Sequence, residues 1–201
     1  MKKIFVFTLV MALLFASAAF AGTGFPRTLA GVTLGQDVQE YSRLCDLKLA
    51  SPMPDAPFMS EVHLDPDSIP GIRGGSLTFG NCAAPGKLLR IKLKFHDRSQ
   101  GLFKKLLEKY QNTYGKPDSY EGDAFRNVIA WQWNFINGDQ KVTLLLMWSR
   151  EKEMRPGVSI KMTYASMVDT EYECFNAQFD AIEKSKGGPS RIKRLDDFIA
   201  K

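Results

Sequence analysis

Four cationic side chains fall at alternate positions near the middle of the chain: Arg90, Lys92, Lys94 and His96. Alternate residues of an extended strand share one face, about 6.5–7 Å apart. These four therefore form a row able to hold an anionic polymer, a lipid headgroup or an acidic partner. The ordinary alternative is a solvated sheet face neutralised by acidic neighbours. His63, Asp65 and Asp67 also share a strand face. Pro66 divides the aspartates, however, and the pattern has no metal-ligand spacing. A polar loop start is the expected reading. In His96-Asp97-Arg98, adjacent side chains point opposite ways. The segment Gly71-Ile72-Arg73-Gly74-Gly75-Ser76 could cradle a phosphate, but it lacks the Lys-Ser/Thr of a P-loop. No G-x-S-x-G nucleophile elbow occurs, although Ser-His-Asp triads assemble from distant positions. No catalytic residue, metal ligand set or cofactor motif stands out.

Cys45, Cys82 and Cys174 are the only cysteines. One bridge and one free thiol is the simplest arrangement, and spacing alone leaves all three pairings open. The expected pair is Cys45–Cys82, joining the end of a helix to a Gly/Pro-rich loop, with Cys174 as the free thiol. A redox role for Cys174 needs a lowered pKa, which Glu171 and Glu173 oppose. Trp131 and Trp133 alternate with Ile129 and Phe135, and Trp148 with Leu144 and Leu146. That alternation places them in a core; a Trp-lined cleft is the competing arrangement.

The chain must position these groups with 201 residues, 44% hydrophobic and 24% charged, an ordinary globular balance. Its start has the form of an export leader. Lys2 and Lys3 precede an apolar run from Ile4 to Ala16, and Ala19-Phe20-Ala21 suits cleavage before Gly22. The run is short for a membrane span. Cleavage after residue 21 leaves 180 residues and lowers the net charge from +5 to +3 with the loss of two lysines. A soluble periplasmic or secreted protein is expected, with no transmembrane segment after cleavage. Export and modest charge argue against a nucleic-acid partner, and the compartment permits disulfides.

Hydrophobic periodicity gives the elements. Helices are expected at Gln36–Leu47, Ser99–Tyr114 and from about Thr170 to Lys184. The second has Ser99 as N-cap and Gly115 at its end. In the third, Thr170 and Glu173 fit a capping box, and Tyr172, Phe175, Phe179 and Ile182 form the apolar stripe. Strands are expected at Phe58–Leu64, Gly75–Gly80, Lys87–His96, Phe125–Phe135, Lys141–Ser149 and Val158–Tyr164. Asn137-Gly138-Asp139 supplies a hairpin turn. Ser51–Pro57 reads as a loop. The order α-βββ-α-βββ-α implies an α+β domain over 22–184, an antiparallel sheet with helices packed on one face. Its possible halves are 25–97 and 98–168. A basic, amphipathic tail follows at 185–201.

Gly31-Val32-Thr33-Leu34-Gly35, placed before the first expected helix, resembles the G-[IV]-x-L-G helix start of small bacterial envelope modules. Tyr114-Gly115-Lys116-Pro117 is similar to the helix exit in that group. The group includes outer-membrane-assembly lipoproteins and β-lactamase-inhibitor proteins, and the layout also resembles uncharacterised exported bacterial proteins. Gly22 rather than Cys stands at the expected cleavage site, so a lipoprotein anchor is not expected. The resemblance implies a binding or scaffolding role rather than catalysis. The expected function is non-catalytic binding of an envelope protein or an anionic envelope component. The competing class is a small-ligand-binding protein or hydrolase with a Trp-lined cleft.

Overall fold

The computed structural model describes residues 25–151, 156–185 and 198–199. The expected leader and most of the tail lie outside the described residues. A short hairpin, β1 (Thr28–Leu29) and β2 (Val32–Thr33), opens the described chain. Eight further strands form one antiparallel sheet: β3 (Ser51–Met53), β4 (Ala56–His63), β5 (Ile72–Gly80), β6 (Leu88–Phe95), β7 (Ser119–Tyr120), β8 (Val128–Asn137), β9 (Gln140–Ser149) and β10 (Gly157–Tyr164). Helix α1 (Gln100–Tyr114) follows β6, and α2 (Ala165–Ser185) follows β10. The strand order is β3-β4-β5-β6-β10-β9-β8-β7. Two four-stranded meanders thus meet along β6 and β10, and each is followed by a helix.

Side-chain alternation divides the sheet into an apolar and a polar face. Leu77, Ile91, Met162, Leu144 and Trp133 lie in one cross-strand row of the apolar face, all buried. Helix α1 packs here: Tyr110 meets Trp133 edge-on at 5.6 Å, and Tyr114 meets Phe135 at 5.0 Å. Its limits are set as the sequence implies. The Ser99 hydroxyl accepts from the Leu102 N–H, and Gly115 closes the helix at φ 82°. The Asn137–Gln140 pair closes the β8–β9 hairpin around Gly138, at φ 56°.

Several elements differ from expectation. Gln36–Leu47 is not an α-helix. Asp37 caps a 3-10 turn at Val38–Tyr41, and Asp46 caps another at Leu47–Leu49, each carboxylate accepting an N–H two residues on. These short-range bonds draw the chain into successive turns, yet Val38, Tyr41, Leu44 and Cys45 are all buried as helical spacing required. Ser51–Met53 is a strand rather than loop. It adds to the β4 edge, where Pro52 needs no ladder donor on its outer side. The glycine-rich segment around Arg73 belongs to β5, with a bulge beside Gly74. A Cβ on Gly75 would overlap the Lys92 carbonyl oxygen, so the close approach of β5 to β6 requires glycine there.

Helix α2 begins at Ala165, directly after β10, not at Thr170. The Thr170 hydroxyl donates to the Ser166 carbonyl within the helix instead of capping it. The helix crosses the end of the sheet where β9 and β6 begin and β4 begins, touching all three. The expected disulfide is also corrected: Cys82 bonds Cys174, and Cys45 is the buried free thiol. Cys45 faces the core formed by the 3-10 turns, whereas the 80–84 loop lies against α2. The helix is clamped a second time by Glu171. This carboxylate is fully buried and accepts from the N–H groups of Asn81 (3.1 Å), Cys82 (2.7 Å) and Ala84 (2.5 Å). The apolar stripe expected inside is consequently turned outward. Tyr172, Phe179 and Ile182 are each about half exposed, at 53%, 52% and 51%. No helix among the described residues is long and apolar enough to cross a membrane.

Candidate functional site

The polar face of the sheet carries the basic row. Arg90 stands opposite Thr78 of β5 and Thr163 of β10; Lys92 stands opposite Ser76 and Lys161; Lys94 stands opposite Ser159. The pairing of β6 with β10 therefore sets two lysines directly across from one another. Cβ atoms in such pairs lie about 4.5–5.5 Å apart, and like charges there are destabilising. Arg90, Lys92 and Lys161 line one cavity of about 270 Å³. Glu61 of β4 supplies its one carboxylate and Ser159 a hydroxyl, while Met53, Leu145 and Met147 form its apolar wall. Residues from β3, β4, β6, β9 and β10 thus share one cavity. The intervening β5 carries register shifts at Ile72/Gly74 and Thr78/Phe79, and bulges of this kind bend a strand locally.

Burial pushes the Arg90 guanidinium below its usual range, and the Glu61 charge opposes that shift. Two polar atoms at this point lack a partner: the Arg90 Nε and the Thr78 hydroxyl oxygen, both buried. They belong to residues directly opposite in the β5–β6 register, and Thr78 is fully buried. A buried polar group without a partner costs about 1–3 kcal/mol, and native proteins contain few of them. The polar face is thus both charge-dense and locally unsatisfied.

The other members of the expected row go elsewhere. Lys94 follows Lys92 on the same face but does not line the cavity. His96 lies just past the end of β6, where its Nε2 meets Asp67 Oδ1 at 2.5 Å in an exposed pair. Asp67, at φ 61°, lies in the turn after β4, and His63 is exposed. Among the described residues no group of three His, Cys, Asp or Glu side chains is placed to hold a metal ion. Arg73 is tied to backbone carbonyls, donating from Nε to Phe95 (3.0 Å) and from Nη2 to Pro156 (2.8 Å). Burial, and then the Asp65 and Asp46 charges, push the Cys45 thiol up, which disfavours the reactive thiolate.

The tryptophans divide. Trp133 is buried and donates to the Gly115 carbonyl (3.0 Å), and Trp148 donates to that of Arg98 (3.0 Å). Trp131 meets Tyr120 edge-on at 4.9 Å and lines a second cavity of about 440 Å³ with Arg126, Ile129 and Asp123. The loop over it is held by Asp123. Burial raises the pKa of this carboxyl, but backbone N–H groups from Phe125 to Val128 outweigh that and hold it low.

Sequence reasoning singled out neither Lys161 nor Glu61. What joins them to Arg90 is the pairing of β10 with β6 and of β4 with β5, which has no local signal. No family model, no curated protein and no solved structure matches this chain.

Proposed function

We propose that this chain is an exported, non-catalytic binding module that holds an anionic component of the cell envelope on the polar face of its sheet. The observation that carries this reading is the concentration of Arg90, Lys92 and Lys161 around one cavity, with two lysines opposite in register. Basic side chains gathered in one place give a surface the charge that an anionic component is attracted to. The Cys82–Cys174 bridge fits an oxidising compartment, in keeping with the leader-like start. The similarity of Gly31–Gly35 and Tyr114–Pro117 to envelope modules points to the same class. The two meanders, each followed by a helix, are read as related halves.

The test is crosslinking of the mature protein in its native cell envelope, followed by mass spectrometry of what it captures. A variant carrying Arg90→Glu and Lys161→Glu should keep its circular dichroism and lose the captured anionic component. Capture that survives the reversal sinks the assignment of this face. The second cavity then becomes the site. Trp131, Tyr120 and Arg126 around about 440 Å³ favour a small ligand with a planar or apolar surface there.

A further inference from the structure

We infer that the cavity at the β7–β8 edge is a second binding site, one that takes a flat aromatic molecule carrying a single anionic group, its ring against Tyr120 and Trp131 and its charge toward Arg126. The site is independent of the polar face, because it lies on the other side of the sheet from Arg90. Trp131 shares its strand face with Trp133, which belongs to the apolar side, and Tyr120 is its partner in the β7–β8 register.

The apolar part of the wall specifies a ring. Helix α1 closes over Trp133 and Phe135 through Tyr110 and Tyr114. Nearer the start of β8, Trp131 and Ile129 instead line a cavity of about 440 Å³, within the usual range for small-molecule sites. Tyr120 and Trp131 meet there at an interplanar angle of 64°. Two rings at that angle form a corner. A third ring can lie flat on one and turn its edge to the other, the two arrangements that aromatic pairs prefer. Tyr120 is 40% exposed, and Phe125, between the lining residues Ala124 and Arg126, is 83% exposed. Aromatic surface is thus left in water at the cavity, which favours its burial by an apolar ligand.

The polar part of the wall disfavours a sugar, the other ligand that stacks on aromatic rings. The Tyr120 hydroxyl donates to the carbonyls of Asp123 (3.1 Å) and Val128 (3.3 Å). The Asp123 carboxylate accepts from the N–H groups of Asn127 (3.0 Å) and Val128 (2.5 Å). Both groups are committed to the 121–127 loop, so sugar hydroxyls entering the cavity would lose water without gaining partners. Arg126 is the cation of the wall. Its N–H donates to the Asp123 carbonyl (3.2 Å), which places it at the cavity with φ 56°. The two ion pairs among the described residues, Lys87–Asp37 and His96–Asp67, do not involve it. A guanidinium pairs with a carboxylate through two parallel hydrogen bonds. With one cation present and the Asp123 carboxylate in the same wall, one anionic group is favoured over two.

The experiment uses the mature protein with its tryptophan indoles labelled for NMR, titrated separately with 2-naphthoate, 2-naphthamide, decalin-2-carboxylate and cellobiose. 2-Naphthoate should shift the Trp131 indole N–H signal saturably, and more than that of Trp133, which is buried and bonded to the Gly115 carbonyl. Decalin-2-carboxylate keeps the charge but has no aromatic face, and 2-naphthamide keeps the rings but has no charge. Each should bind about threefold or more weakly. Cellobiose should leave the signal unmoved. Arg126→Asn suits the left-handed backbone. It should weaken 2-naphthoate about threefold or more and leave 2-naphthamide binding unchanged, which separates loss of the charge from damage to the loop.

Failure of 2-naphthoate to shift the Trp131 signal overturns the proposal, as does equal binding of decalin-2-carboxylate. Equal binding of 2-naphthamide, or of 2-naphthoate to Arg126→Asn, overturns the anionic assignment. Cellobiose binding in preference to 2-naphthoate overturns the aromatic one. The variant carrying Arg90→Glu and Lys161→Glu should bind 2-naphthoate as the parent does, even where it loses envelope capture. Loss of 2-naphthoate binding in that variant, with Arg126→Asn still binding, places the ligand on the polar face and overturns this site.

Discussion

Glu171 is the residue on which the orientation of α2 turns. Its carboxylate is buried, and its acceptor capacity is spent on three backbone N–H groups of the 80–84 loop. Hydrogen bonds to charged groups contribute about 1.5–3 kcal/mol each at most, and orphaned buried donors add a cost of their own. Glu171→Ala should therefore destabilise the protein by about 2–4 kcal/mol. Gly80 is its structural counterpart: a Cβ there would overlap the Glu171 carboxylate and stand 2.7 Å from the Ala84 carbonyl oxygen. Gly80→Ala should be destabilising alone and partly relieved once Glu171 is shortened. In urea unfolding, the double variant should fall short of the sum of the single costs by about 1 kcal/mol or more. Strict additivity would show that the loop adapts to the added methyl without disturbing the carboxylate. None of this was legible in the sequence. The stripe Tyr172, Phe175, Phe179, Ile182 centres the expected buried face beside Glu171 rather than on it, and the sequence gives no reason to bury that carboxylate. The partners that reverse the expectation lie about 90 residues upstream, beyond any periodic signal.

At the level of elements, legibility follows the range of the determining contacts. Helix α1 and the β8–β9 hairpin are specified by neighbours in sequence, Ser99, Gly115 and Asn137-Gly138, and both stand where those residues place them. The alternation in β6 likewise reads directly into its two faces. Helix α2 is specified by tertiary bonds. Its disulfide spans 92 residues. Chain-entropy reasoning assigns a loop of that size about 4–5 kcal/mol, and removing a native bridge costs about 2–5 kcal/mol. Cys174→Ser should lower the stability by that order. The loss should also be local. Amide exchange should accelerate through α2, which has Glu171 as its sole fully buried side chain, while α1, held by Phe103, Tyr110 and Tyr114, stays protected at mild denaturant. Equal acceleration in both helices would show that α2 and the sheet open as one unit. The exposed Tyr172, Phe179 and Ile182 follow from the same clamp, because a helix fixed through residues 171 and 174 cannot roll its stripe inward. Phe58 covers part of that stripe, meeting Tyr172 at 5.5 Å and Phe175 at 6.1 Å.

The whole molecule depends on one seam. Each meander is locally connected, strand to neighbouring strand, and those pairings are what a sequence of turns and alternating residues can specify. The join between them is not local: β6 and β10 pair from Thr163↔Arg90 to Ser159↔Lys94, across α1 and the whole second meander. Composition and periodicity made an antiparallel α+β sheet legible but left this central pairing open, and with it the meeting of Lys92 and Lys161. The seam buries Ile91 and Leu93 against Met162 and Ile160. Cut apart, either half would present a long apolar edge strand, a template for aggregation rather than a stable surface. Chains 25–115 and 116–185, produced separately, should accordingly lack cooperative thermal unfolding and tend to precipitate. Mixed during refolding, they should recover the far-ultraviolet circular dichroism of the intact chain and a single transition, because the missing edge is then supplied in register. Independent cooperative folding of either fragment would show that its meander carries a sufficient core. The basic cavity at the seam would then arise from the docking of two autonomous units. Dependence of both fragments on one another would instead make the cavity inseparable from the fold: its cations are brought together by the same pairing that closes the core beneath them.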